Sequence, residues 1–153
     1  MWRRVRYVLL LVALCAIATC PAAKRSCTAK TRAQEAEDLL VYLAEKVTLS
    51  YLATGKLPPG AAPTPRPSCC EQGGTCSPDP ATWAAQGWTT LGFAIDNEYR
   101  YTYEYAPDPS GTSATLRAVG DLDCDGKSSL YEVKLTITAG QVYQSWTRTD
   151  PYE

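Results

Sequence analysis

The sequence predicts an α+β fold in which one long N-terminal helix packs on a four- to five-stranded antiparallel meander. Three observations carry that expectation. Apolar residues recur at three- and four-residue steps over residues 28–54. The following stretch, 56–80, is dominated by proline, glycine and cysteine. Beyond it, over 88–149, short segments of period-two alternation are separated by brief turn-like links. Helical period, interruption, then strand period with short links reads as a helix followed by antiparallel neighbours.

The helix comes first. Ala29, Ala33, Ala36, Leu40, Leu43, Val47 and Tyr51 share one face, while Arg32, Glu35, Glu37, Asp38, Glu45 and Lys46 are expected mostly on the others. Thr28 can act as N-cap, Gly55 suits the C′ position, and Pro58-Pro59 forbids continuation. The stripe is read as a core face.

Lys56–Pro80 holds most of the eleven prolines, with Gly60, Gly73, Gly74 and the cluster Cys69-Cys70-Glu71-Gln72-Gly73-Gly74-Thr75-Cys76. Such a stretch is expected to form no regular element. Adjacent Cys69 and Cys70 are poorly placed to bond each other, so each is expected to reach a different partner. The disulfide candidates are Cys27, Cys69, Cys70, Cys76 and Cys124. A four-cysteine zinc site is the alternative use of these thiols.

The strand candidates are Thr89–Ile95, Tyr99–Tyr105, Thr112–Val119, Ser129–Thr138 and Gln141–Thr149. Tyr99, Tyr101, Tyr103 and Tyr105 place four phenols on one face of a strand. Such a ladder can pack beneath a helix with its hydroxyls at the rim, or offer aromatic faces to a glycan or peptide.

Composition removes several function classes. The 153 residues carry a net charge of −1 and no histidine. Near-neutral charge gives no nucleic-acid footprint and no polybasic membrane patch. Without histidine there is no Ser-His-Asp or Cys-His catalysis. No other catalytic constellation stands out, and the chain is read as non-enzymatic.

The N-terminus has the physics of an export signal, assigned to residues 1–19, with 20–29 a short linker and 30–153 the folded domain. Trp2-Arg3-Arg4-Val5-Arg6 supplies a basic region, and Val8–Ile17 an apolar run too short to span a membrane. Two processing routes compete. Ala16-Ile17-Ala18 fits signal-peptidase cleavage, whereas Ile17-Ala18-Thr19-Cys20 is similar to a lipobox that would acylate Cys20. Cleavage after Ala18 leaves an even number of cysteines, and lipidation of Cys20 leaves an odd one. Either route exports the chain to the periplasm, outer membrane or cell surface, with membrane attachment only through the lipid.

The twelve residues Asp121–Glu132 fit the calcium-loop spacing D-x-[DN]-x-[DN]-G-x₅-E. Calcium takes six to eight oxygens, which a tight loop presents at alternate positions. Asp121, Asp123 and Asp125 would supply carboxylates, Lys127 its carbonyl, Ser129 a hydroxyl or a bridging water, and Glu132 a bidentate closure. Gly126 permits the turn. The segments on both sides read as strands, so the ion would be structural. The competing reading is a metal-free acidic hairpin turn.

Lys30-Thr31-Arg32-Ala33-Gln34-Glu35-Ala36-Glu37, leading into Leu40–Tyr51, resembles the exposed part of the N-terminal helix of type IV pilins and pseudopilins. Trp88-Thr89-Thr90-Leu91-Gly92-Phe93, the Tyr-Arg-Tyr-Thr-Tyr strand and Val119-Gly120-Asp121-Leu122-Asp123-Cys124-Asp125-Gly126 are similar to the globular part of myxobacterial-type pilin-like proteins. The resemblance covers roughly residues 30–149 and omits the prepilin leader with its Phe-Thr-Leu-Ile-Glu motif and long apolar helix. It implies a pilin-like head behind an export or lipid signal. It also implies docking to a protein of a type IV pilus, type II secretion or envelope assembly, and supplies a precedent for calcium in the head. A secreted calcium-dependent glycan- or peptide-binding module, using Trp83, Trp88 and Trp146, is the alternative.

Overall fold

The computed structural model describes residues 30–153. The export signal, the linker, Thr28 and the candidate cysteines Cys20 and Cys27 lie outside the described residues. Helix α1 covers residues 30–54. Its buried side chains are Ala33, Ala36, Leu40, Leu43 and Val47 of the predicted stripe, joined by Ala44, while Tyr51 is only partly buried. Gly55 ends it in the left-handed region at φ 70°, its N–H donating to the Tyr51 carbonyl at 2.7 Å. A residue with no Cβ takes that conformation at little cost.

A five-stranded antiparallel sheet runs in the order β1-β2-β3-β4-β5, with β1 Ala61–Thr64, β2 Thr102–Pro107, β3 Ser113–Gly120, β4 Ser129–Thr138 and β5 Gln141–Thr149. Each strand pairs with the next in sequence, which is the predicted meander, although the link from β1 to β2 is long and carries its own short helices. The β4–β5 turn is Ala139-Gly140, with φ 52° and 76°, the paired positive values that match a two-residue turn to strand twist. Helix α1 covers one face of the sheet. The other face is polar, and there Arg117 sits between Glu104 and Glu132 at 3.4 and 2.8 Å.

Two elements differ from expectation. Thr89–Ile95 is not a strand: Gln86–Leu91 forms a short helix α2, closed by Gly92 at φ 60°. Its β-branched threonines, Thr89 and Thr90, bond backwards to the Gln86 carbonyl at 3.0 and 2.7 Å. Meanwhile Trp88, Leu91, Phe93 and Ile95 enter the core, so burial overrode local strand propensity. Conversely, the proline-rich stretch contains a regular element after all. Strand β1 pairs with β2 through Ala61↔Tyr105 and Thr64↔Tyr103, with an irregularity between them. A short edge strand tolerates prolines because one side of it makes no ladder bonds.

The tyrosine ladder packs. Tyr99, Tyr101, Tyr103 and Tyr105 are all buried, and their region is lined by Trp83, Trp88 and Phe93 in edge and tilted contacts. The hydroxyls find partners inside rather than at a rim. Tyr103 Oη donates to Glu35 Oε1 at 3.4 Å and Tyr105 Oη to the Pro58 carbonyl at 3.2 Å, while the Tyr101 and Ser129 hydroxyl oxygens lie 3.4 Å apart. Burial, the largest cause, pushes the phenol of Tyr103 well above its ordinary titration range. Trp88 donates its indole N–H to Thr64 Oγ1 at 2.8 Å, fastening α2 to β1.

Candidate functional site

The acidic turn sits between β3 and β4 and is tied to the body from three directions. Cys124 is disulfide-bonded to Cys70. Arg32 of α1 donates to the Leu122 carbonyl at 2.8 Å. Leu122 itself is buried, and Ser129 Oγ donates to the Gly120 carbonyl at 2.9 Å across the neck of the turn. A second disulfide, Cys69–Cys76, closes the adjoining loop. Adjacent cysteines therefore do reach different partners, as their geometry requires.

Within the turn the Asp121 carboxylate accepts from the N–H of Asp125 at 3.2 Å and of Gly126 at 2.8 Å. Asp125 accepts from its own neighbour, the N–H of Lys127, at 2.9 Å. These bonds fold the backbone through Cys124 at φ 61° and Gly126 at φ 96°. The left-handed value suits glycine; at Cys124 it costs on the order of 1–2 kcal/mol, which the tethered position sustains.

One carboxylate oxygen from each of Asp121, Asp123 and Asp125 lies within 4.8 Å of the others, a group that can hold a metal ion. Each carboxylate has about four acceptor directions, so the backbone bonds of Asp121 and Asp125 leave room for further coordination. The Lys127 ammonium lies 3.5 Å from Asp125 Oδ2 and partly neutralises the cluster; the neighbouring Asp125 charge is the main cause that raises the Lys127 pKa.

Two members of the predicted ligand set are elsewhere. Ser129 is buried on the inner face of β4, bonded to Gly120 and Tyr101. Glu132 is on the outer face, its carboxylate 2.8 Å from Arg117 Nε. The physical reason is parity. Positions nine and twelve of the loop are three residues apart, which places them on opposite faces of a strand, and β4 begins at Ser129. Of the predicted side-chain ligands, the structure groups Asp121, Asp123 and Asp125.

The thiol alternative is overturned. Cys69, Cys70, Cys76 and Cys124 are all consumed in disulfides, so none offers the thiolate that four-cysteine zinc ligation needs. Two disulfides fit an oxidising, exported environment. No helix among the described residues is long and apolar enough to cross a membrane.

The aromatic platform is likewise absent as pictured: Trp83 and Trp88 are core residues, and Trp146 is half-buried against the core. What α1 does expose is an apolar stripe of Val41, Leu49 and Leu52, with Leu49 and Leu52 each more than 60 % exposed. Beside it Glu45, Thr48, Leu49 and Gln144 line a shallow groove between α1 and β5.

Helical periodicity did not reveal two residues. Arg32 is engaged with the acidic turn. Glu35 is partly buried, accepting from the Arg100 N–H at 2.7 Å and pairing with the Arg100 guanidinium at 3.4 Å. Burial raises the Glu35 pKa, and the bonds from Arg100 oppose that rise only in part. The only signal was their place on the flanks of the stripe, where long side chains reach neighbouring loops.

No protein-family model matches the chain, nor does any curated protein or solved structure.

Proposed function

We propose that this chain is an exported, non-enzymatic, pilin-like protein of the cell envelope or surface. Its head docks to a protein component of a pilus, secretion or envelope assembly, and calcium stabilises its acidic turn. The observation that carries the reading is the solvent face of α1. A long helix laid on a meander through one face keeps Val41, Leu49 and Leu52 exposed on another. Separated leucines this open, on a rigid helix, suit a partner helix or groove that reads positions at helical spacing.

Calcium is supported by hard oxygen donors at alternate positions and by a turn already held in shape by Cys70–Cys124 and Arg32. The ion would bind Asp121, Asp123, Asp125 and the Lys127 carbonyl, release the Lys127 ammonium, and fill its sphere with water. A donor set without Glu132 predicts weak, extracellular-type affinity.

Two experiments separate the parts. Thermal unfolding of the oxidised protein with calcium and then chelator tests the metal: saturation at a hundredfold excess over Kd adds about 2.7 kcal/mol. The gain disappears in Asp123→Ala, and no shift refutes the calcium reading. A photoreactive side chain at Leu52, activated in the producing cell, tests docking. Adducts with pilus, secretion or envelope proteins are expected; their absence overturns the docking reading and leaves the metal result untouched.

A further inference from the structure

The two edges of the sheet are built differently. Edges expose unpaired backbone groups, and proteins blunt them with prolines, lysines, bulges or shortness. Strand β1 has all but the lysine: it is four residues long, contains Pro63, is followed by Pro65, and its register against β2 is irregular. Strand β5 has none of them. It is nine residues long and pairs with β4 without a break from Thr138↔Gln141 to Leu130↔Thr149. Its one charged residue, Arg148, is neutralised by Glu37 at 2.7 Å.

The two-residue turn makes Thr138↔Gln141 a hydrogen-bonded pair, and such pairs alternate along an antiparallel ladder. Odd-numbered residues of β5 therefore spend their backbone groups on β4. Val142, Gln144, Trp146 and Arg148 direct theirs outward. Among the described residues, no turn, loop or cap backbone bond reaches them.

We infer that this edge pairs with the β5 of a second copy of the chain, antiparallel and centred on Ser145, joining two sheets into one. The strand is self-complementary in that register. Val142 meets Arg148 of the partner subunit and Gln144 meets Trp146 of the partner subunit, so the outward groups face each other as hydrogen-bonded pairs. Ser145 faces its own copy across the two-fold axis. The single charge falls opposite valine rather than against itself, and the two Trp146 rings become diagonal neighbours within contact range. Because β1 is blocked, a head-to-tail β5–β1 contact is closed off. The pairing ends as a dimer and does not propagate into a fibre. The inference does not rest on the docking reading, which uses the face of α1.

The test is light scattering of the full oxidised chain over a concentration series, with three variants. The mass is expected to double as concentration rises. Ser145→Cys gives a disulfide-linked dimer, whereas Thr147→Cys, which faces Tyr143 of the partner subunit, does not. Gln144→Pro removes an outward N–H, keeps the β4 ladder, and leaves a folded monomer. A monomer at every concentration with no Ser145→Cys dimer overturns the inference. So does a dimer that survives Gln144→Pro, or a complex in which another protein's strand takes the edge.

Discussion

Replacing both Cys70 and Cys124 by serine is the most telling perturbation of the fold. Their bridge spans 54 residues of sequence, whereas Cys69–Cys76 spans 7. In the chain-entropy account, a loop of the longer size constrains the unfolded ensemble by about 4 kcal/mol and one of the shorter size by about 2.4 kcal/mol. The Cys69–Cys76 bridge interlaces with the longer loop and shortens it only slightly, and the dependence on length is logarithmic, so the first figure hardly changes. For a folded domain of this size each kcal/mol moves Tm by about 4 °C, giving expected losses of about 16 °C and 10 °C. Differential scanning calorimetry of the two double-serine variants against the oxidised parent measures both. Relief of the left-handed strain at residue 124 lowers the first loss by up to about 1–2 kcal/mol, and Cys70→Ser with Cys124→Gly isolates that contribution. If losing Cys70–Cys124 costs no more than losing Cys69–Cys76 even after that correction, the entropic reasoning fails. The acidic turn would then be held by Arg32 and Leu122 alone.

Glu35→Gln tests the partly buried carboxyl that pairs with Arg100. A carboxyl whose native pKa lies above its ordinary 4.5 holds its proton more tightly when folded, so its contribution is most favourable below that value. It is lost as pH rises through the raised native pKa. Urea melts between acid and neutral pH should therefore show parent stability falling relative to Glu35→Gln over that window, and a flat difference would refute the assignment. Leu43→Ala removes a fully buried side chain from the α1–sheet contact and should cost about 3 kcal/mol, read by the same melts. A loss under about 1 kcal/mol would mean that α1 does not dock through this face. Gly87→Ala would drive a methyl group into the backbone of β1's start, against the Gly60 carbonyl oxygen and 2.7 Å from Ala61 Cα. Tm should fall by an amount equivalent to at least about 2 kcal/mol, because neither β1 nor α2 can yield without breaking the Trp88–Thr64 bond.

Repeating patterns were the legible part of this sequence. The α1 stripe from Ala33 to Val47, the alternation of Ser129–Thr138 and Gln141–Thr149, and the Ala139-Gly140 turn each carry a period or a φ requirement that neighbouring residues alone impose. Helix, meander and turn follow from those local rules. The same rules showed that Cys69 and Cys70 must part, since adjacent cysteines cannot comfortably bridge.

The tertiary structure alone decided which side chains meet. Thr89–Ile95 carries strand propensity, yet the core needed Trp88, Leu91 and Phe93 on one side, and a short helix with its Gly92 cap delivers them. The calcium-loop spacing names Ser129 and Glu132 together. Once β4 starts at Ser129, the period of two sends one inward to Tyr101 and the other outward to Arg117. Glu35 and Arg32 looked like solvent-facing charges on a helix and became its fastenings to Arg100 and to the acidic turn. Local sequence sets the period of an element. Register and packing against distant segments set what each period faces, and no window along the chain contains that information.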